Sequence, residues 1–316
     1  MIIAITSSFK DDLFNGKGTL KKPDNSIYTG DFLNGFFHGR GKRAYMNQDE
    51  YEGEWVKGKR HGKGRILFIN KDSYDGQWKD DQISGKGTYR NSSGRIYDGE
   101  FLTGWRHGRG ICRWPDGSLY EGQFQNDLMF GIGKYVWPDG SVYEGMWDES
   151  ERHGKGTMKF NNKLNQGEIY EGLWETGKRN GLGKTFYPSG KIHEGNYIND
   201  CQNGQGTMRW PSGESYTGNF IDNKIEGQGK YTFSDGAVYT GSFINFEKNG
   251  IGTITYGIII IIIIIIIIII IIIIIEANGS IYTGSFLNNQ RHGKGKMVYS
   301  DGRVYDGEWA LDEQQI

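Results

Sequence analysis

Read two residues at a time, the chain keeps presenting one alternation: aromatic, polar, Gly, polar, aromatic. A polar gap follows, and then a Gly-x-Gly pair that runs into alternating apolar and polar positions. A period of two predicts strands with one face buried, because successive strand side chains point to opposite sides. The aromatic step occurs twelve times, mostly at intervals of 23 residues: Tyr28/Phe32, Tyr51/Trp55, Tyr74/Trp78, Tyr97/Phe101, Tyr120/Phe124, Tyr143/Trp147, Tyr170/Trp174, His193/Tyr197, Tyr216/Phe220, Tyr239/Phe243, Tyr282/Phe286 and Tyr305/Trp309. Self-similarity at this period predicts a repeat array whose units pack mainly on their neighbours.

Within one unit, Tyr51, Gly53 and Trp55 share a strand face, and Glu52 and Glu54 take the other; Tyr97-Gly99-Phe101 and Tyr143-Gly145-Trp147 repeat the pattern. The second strand begins at the glycine pair, with Gly62, Gly64, Ile66 and Phe68 on one face and Lys63, Arg65 and Leu67 opposite. The polar stretch Val56 to His61 reads as a hairpin loop of about four to six residues. Turn sequences such as Pro115-Asp116-Gly117 and Pro138-Asp139-Gly140 join one hairpin to the next. The expected fold is all-β, an elongated single-sheet solenoid of stacked antiparallel hairpins, about 12 units of 23 residues. Glycine weakens a strand unless a neighbouring ring covers the bare backbone, so the strand glycines read as packing sockets for the tyrosines and tryptophans.

The units Tyr51 to Phe68 and Tyr97 to Ser118, with their YxGxW/F step, HGxG and PDG, resemble the MORN (membrane occupation and recognition nexus) repeat. The resemblance runs from about Tyr28 to Trp309. Departures are local: His193 stands for a leading tyrosine, Asn25 and Gln48 stand for the inter-unit glycine, and only His38, His61, His107, His153 and His292 keep the histidine before the glycine pair. The resemblance implies a non-catalytic platform that attaches enzymes or cytoskeletal assemblies to membranes or partner proteins, including ciliary ones. It also implies an alternative, the targeting region of a MORN-containing phosphatidylinositol phosphate kinase or SET-type histone methyltransferase whose catalytic domain is missing here.

The organisation expected is a degenerate capping repeat at 1–27, the array at 28–256, an insertion at 257–276, and the last repeats with an open edge at 277–316. Tyr305 to Trp309 has no glycine-pair strand after it, and an unpaired edge invites homodimerisation there. The insertion carries an unbroken isoleucine tract, Ile258 to Ile275. Two readings stand: a repeat-expansion or gene-model artefact at a turn, and a membrane span of about 27 Å as a helix. The flanks lack the basic cluster that a span favours.

Net charge is −1, with 19 Lys/Arg against 14 Asp/Glu up to residue 110 and an acidic remainder. With no binding motif either, nucleic acid is not an expected partner. The stretch Met1 to Ile5 is too short and lacks the basic lead of a secretory signal. Cys112 and Cys201 lie four units apart, too far for a disulfide, which fits a reducing cytoplasmic setting, peripheral on membrane or cytoskeleton. Equivalent histidines about 10 Å apart cannot share a metal ion, neither cysteine has a catalytic neighbour in sequence, and the Gly-x-Gly pairs open strands rather than helices. No cofactor, metal or catalytic residue is expected.

The remaining candidate is a basic column, Lys17, Arg40, Lys63, Lys86 and Arg109, between the paired glycines of consecutive units, with Lys59, Arg60 and Arg106 in neighbouring loops. Two readings stand for it as well. Stacked cations attract anionic phosphoinositide headgroups or an acidic partner, each contributing about 1 kcal/mol at a membrane. Alternatively, Asp31, Glu54, Gln77 and Glu100 on the preceding strands neutralise it. A second candidate surface is the aromatic face itself, if its rings stay uncovered.

Overall fold

The computed structural model describes residues 3–256 and 279–315. The isoleucine tract, and with it both readings of the insertion, lies outside the described residues. Among the described residues there are 26 strands and no helix, so no helix is long and apolar enough to cross a membrane. The chain divides into two compact units, Met1–His153 and Gly154–Ile316. In each, consecutive strands pair antiparallel as a meander of hairpins, as the alternation predicts.

One hairpin of the first unit shows why the sequence folds this way. Strand Glu50–Val56 buries Tyr51 and Trp55 and exposes Glu50, Glu52 and Val56. Its partner Lys59–Leu67 buries Gly64 and Ile66 and exposes Lys63, Arg65 and Leu67. Gly53 faces Gly64 directly, and a Cβ on Gly64 would fall inside the Tyr51 ring and hydroxyl. The same two-glycine socket under a tyrosine recurs at Tyr28, Tyr74, Tyr97, Tyr120, Tyr170, Tyr216, Tyr239 and Tyr282.

The first glycine of each pair does different work. Between Gly53↔Gly64 and Glu54↔His61 the register slips, so the second strand carries a bulge of extra residues, and Gly62 turns through φ 59° to make it. The bulge leaves a carbonyl on the first strand without its ladder partner, and the tyrosine supplies one. Tyr51 Oη donates to the Glu54 carbonyl at 3.0 Å, Tyr97 Oη to Glu100 at 2.9 Å, and Tyr239 Oη to Ser242 at 3.1 Å. Burial pushes these phenols well above their ordinary value, Tyr239 to about 12.

The bulge also corrects the loop length. Because pairing resumes beyond it, at Trp55↔Arg60 and Val56↔Lys59, the expected loop of four to six residues shrinks to the two-residue turn Lys57-Gly58. Both residues have positive φ, 49° and 80°, as in the turns whose twist matches a hairpin. The links between hairpins follow the sequence reading: Gly117 takes φ 92°, and Asn25 and Gln48 reach 65° and 69° in the place of that glycine.

Rings of successive hairpins meet edge to face. Tyr51 contacts Trp55 of its own strand at 5.1 Å and Trp78 of the next hairpin at 5.2 Å, and Tyr216 does the same with Phe220 and Phe243. Where the ring is tryptophan, its indole N–H donates to the preceding hairpin's second glycine, as from Trp78 to the Gly64 carbonyl at 2.9 Å. The tyrosines of the aromatic step from Tyr28 to Tyr282 are at most 1 % exposed, whereas Tyr89, Tyr135 and Tyr231 on the second strands of this face are half-buried. The columns of the aromatic step are therefore closed, and the partly exposed rings of this face belong to the second strands and links, among them Tyr89, Trp114, Tyr135 and Trp210.

At the chain's end, strand Val304–Ala310 has a short partner, Glu313–Gln315, which pairs with residues from Glu308 to Ala310. The edge expected to be open after Trp309 is thus covered over its last three residues.

The two glycine classes predict different penalties. Gly64→Ala, which forces a methyl into the Tyr51 ring, is expected to cost more than about 3 kcal/mol. Gly104→Ala meets nothing within 4 Å and strains only the backbone at φ 89°, for about 1 kcal/mol. Urea denaturation followed by tryptophan fluorescence measures both, and equal losses would contradict the socket.

Candidate functional site

The face opposite the tyrosines carries the charged residues. On the first five second strands of the first unit, the residue between the paired glycines points to this side: Lys17, Arg40, Lys63, Lys86 and Arg109, all exposed. The register sets each directly across from one residue of the next strand: Lys17↔Asp31, Arg40↔Glu54, Lys63↔Gln77, Lys86↔Glu100 and Arg109↔Gln123.

Those opposing groups are turned toward their own hairpin's bulge. Asp31 Oδ2 accepts the backbone N–H of Arg40 at 3.0 Å, Gln77 Oε1 that of Lys86 at 2.8 Å, and Gln123 Oε1 that of Ile132 at 3.3 Å. Glu54 and Glu100 fold over Gly62 and Gly108 in the same manner. Among the described residues, the five cations make no ion pair within 4 Å, whereas Lys42 reaches Glu50 at 2.7 Å in the adjacent row. A carboxylate that can serve either a buried-side N–H or an exposed ammonium gains more from the former, because the N–H has no alternative partner and the ammonium has water.

The neighbouring row on this face is mixed: Lys42↔Glu52, Arg65↔Asp75, Thr88↔Asp98 and Ile111↔Glu121. Between the rows the sheet forms three clefts. One of about 370 Å³ joins Lys17 to Arg40, one of about 770 Å³ joins Arg40 to Lys63, and one of about 620 Å³ joins Lys86, Arg109 and Ile132.

The three other basic residues singled out from sequence do not extend the column. Lys59 lies exposed beside the turn, opposite Val56. Arg60 pairs with Trp55 in the register and so points to the aromatic side, where its guanidinium lies 4.3 Å from the Trp78 ring. Its Nε and its backbone N–H both donate to Asp81 Oδ1, at 3.1 and 2.9 Å, and its Nη2 donates to the Asp81 carbonyl at 2.8 Å. Arg106 repeats this with Asp127, and in the second unit Arg179 with Asp200 and Arg291 with Asp312. These arginines staple one hairpin to the next turn. The sequence reading missed the staple, although an Asp recurs 21 residues after each of these arginines.

It also missed an apolar end to the groove. In the unit containing Phe130-Gly131-Ile132-Gly133, Phe130 and Ile132 replace the usual histidine and cation, and Ile132 faces Met146 with exposures of 70 % and 45 %. Phe130 stands across from Gln123 on the same face.

The structural columns lie where the alternation puts them. Tyr51, Tyr97 and Tyr143 are buried with Trp55, Phe101 and Trp147, and Gly53, Gly99 and Gly145 face Gly64, Gly110 and Gly133. The paired-glycine position Gly62 faces Trp78 of the next hairpin. Among the described residues, no three His, Cys, Asp or Glu side chains gather to hold a metal ion. Both cysteines are free thiols, and Cys112 is buried. His193 in its tyrosine register is fully buried, with Nδ1 2.9 Å from Tyr197 Oη, which in turn lies 2.6 Å from Thr185 Oγ1.

Stacked two-stranded hairpins that seat a tyrosine, or in one case His193, over a glycine pair define a β-hairpin repeat protein. The MORN repeat matches at residues 6–27, 28–50, 51–73, 74–94, 97–119, 120–142, 143–164, 170–192, 193–215, 216–238 and 282–302. The chain belongs to the MORN repeat family. The first match begins inside the segment read from sequence as a degenerate cap. A search of curated proteins returns no match. Among solved structures, the wild-type TCP10 domain of Danio rerio CPAP is similar at 13 % identity and TM-score 0.36, over 64 % of this chain and 96 % of that one. The TCP10c domain of Drosophila melanogaster Sas-4 is similar at 13 % identity and TM-score 0.24, over 65 % and 99 %. At these scores the likeness carries no argument about this chain.

His193 gives the unit around it a pH dependence. Burial, with Lys191 and Arg179 nearby, lowers its pKa from the ordinary 6.5 to about 4. Between these values the unfolded chain takes up a proton that the folded one refuses, so stability is lost as pH falls through that window, by roughly 3 kcal/mol. Urea midpoints between pH 7 and pH 4 are expected to fall less steeply in His193→Tyr, whose phenol does not titrate there; parallel curves would show that His193 carries no such cost.

Proposed function

We propose that this protein is a non-catalytic scaffold that holds a protein partner along the charged face of its first unit, in a cytoplasmic setting peripheral to membrane or cytoskeleton. MORN repeats are repeat scaffolds that commonly bind proteins or membranes, and this chain is built of them. The observation that carries the reading is the row of five exposed cations, none of which makes an ion pair within 4 Å among the described residues: Asp31, Gln77 and Gln123 opposite Lys17, Lys63 and Arg109 accept bulge N–H groups, and Glu54 and Glu100 lie over Gly62 and Gly108. Charges in this state serve an incoming partner: they contribute steering and specificity without first giving up an internal contact.

A second reading, contact with an anionic phosphoinositide membrane, draws on the same cations. It is disfavoured by the acids of the mixed row beside them, Glu52, Asp75, Asp98 and Glu121, which a headgroup layer would meet at the same time.

Proximity labelling in the native cell, comparing the unaltered chain with Lys63→Glu/Lys86→Glu/Arg109→Glu, tests the scaffold. The expected result is a defined set of neighbours lost from the variant. An identical set in both would remove the groove as the binding face, and salt-sensitive sedimentation with phosphoinositide vesicles that the same substitutions abolish would shift the reading to lipid.

A further inference from the structure

The cleft that joins Lys86, Arg109 and Ile132 has a chemical order along and across it. Along the sheet run two exposed cations and then an apolar step, Ile132 against Met146 with Phe130 beside it. Across the sheet, one row carries the exposed Lys86 and Arg109, with Glu100 opposite Lys86 and laid over Gly108, and the next carries Asp98 and Glu121. In that second row Asp98 stands between Thr88 and Ile111, and Glu121 between Ile111 and Lys134; among the described residues neither acid makes an ion pair within 4 Å.

We propose that this cleft receives an α-helix of a partner protein bearing an acidic stripe at heptad spacing, a basic stripe beside it, and a large apolar residue one heptad on. The inference deepens the scaffold reading and rests on it. Three physical arguments select a helix. The backbone groups of the sheet are already used in its ladders, so an extended segment lying on this face would bury N–H and C=O groups without partners, whereas a helix satisfies its own. Equivalent side chains recur every second strand, about 10 Å apart, and seven residues of helix advance about 10.5 Å, so one stripe meets successive rungs in step. Residues at i and i+4 form adjacent stripes on a helix, which lets acids lie over Lys86 and Arg109 while bases lie over Asp98 and Glu121. The sheet's twist turns each rung relative to the last and confines a straight helix to about three rungs, the length of this cleft.

The match in both charge and apolar position is what a purely anionic ligand lacks. A phosphate-rich surface satisfies Lys86 and Arg109 but is repelled by Asp98 and Glu121, and it has nothing to place against Ile132. The helix therefore takes its affinity from the apolar end and its register from the two rows.

The experiment uses the full chain and three synthetic helices of one composition. The first has Glu at two successive heptad positions, Lys four residues after each, and Leu at the third heptad position. The second exchanges Glu and Lys, and the third spaces the same residues by five. Fluorescence anisotropy is expected to show the first binding at least about tenfold more tightly than the others, with about tenfold losses in Arg109→Glu and Ile132→Asp and none in Lys294→Glu of the second unit. Circular dichroism establishes that each variant keeps its strand content. Equal binding of the three helices, or binding indifferent to Arg109→Glu and Ile132→Asp, overturns the proposal. So does the failure of every helix while anionic phosphatidylserine vesicles bind and release on Arg109→Glu. Loss of neighbours in the labelling experiment without helix selectivity would leave the scaffold standing and remove only the helical ligand, whereas failure of both removes both.

Discussion

A ring laid over two facing glycines, a tyrosine in most hairpins and His193 in one, is the contact on which the hairpins depend. It answers three demands at once. The ring supplies apolar area that a single sheet layer otherwise lacks. The glycines let that ring sit against backbone, and its hydroxyl takes the carbonyl that the bulge leaves behind, as Tyr51 does with Glu54. Removing any one of these would expose another: without the bulge the hydroxyl has no carbonyl, and without the glycines the ring has no seat. The edge-to-face contacts to the rings before and after then make neighbouring hairpins cooperate, and the Arg–Asp staples fix the turn of one hairpin to the strand of the one before.

The bulge also separates structure from function. Its unpaired N–H draws in the Asp or Gln of the opposite strand, as with Asp31 and Gln77, and the residue between the glycines is left exposed with its charge unspent. Conservative-looking changes at the two positions therefore have different consequences. A change at Gln77 acts on the hairpin, through the N–H of Lys86. A change at Lys86 acts on what the groove can bind, and leaves the ladder as it was. The same logic explains how Phe130 and Ile132 can replace a histidine and a cation without disturbing the hairpin: neither position is asked to support the fold.

Much of the fold was legible because its signal is geometric. Period-two alternation places Tyr51, Gly53 and Trp55 on one face, and the glycine pairs under aromatic positions announce close packing. What alternation cannot show is a register slip. From sequence, Trp55 and Gly62 are separated by six polar residues that look like a loop; in the structure four of them continue the two strands and only Lys57-Gly58 turns. The slip of two residues keeps the alternation in step, so Arg60 and Arg106, at even spacing from the glycine pair, lie on the aromatic side and stack on the rings, opposite the column of Lys63 and Arg109. Turn chemistry hid in the same way, since Asn245-Phe246 adopts the two positive φ values, 50° and 68°, with an aromatic in a position that favours Gly or Asn.

The groove was only half legible, and the reason is instructive. Sequence shows that Lys17, Arg40, Lys63, Lys86 and Arg109 share a column, and that acids stand across from three of them. It does not show where those acids point, because that is decided by a backbone N–H whose need arises only once the bulge forms. An exposed ammonium and an orphaned N–H compete for the same carboxylate, and water can serve only the first of them. The outcome follows from that asymmetry rather than from the number of charges on each side. A face nearly balanced in composition can thus present cations free to engage a partner, beside a mixed row whose acids a uniformly anionic one would also meet.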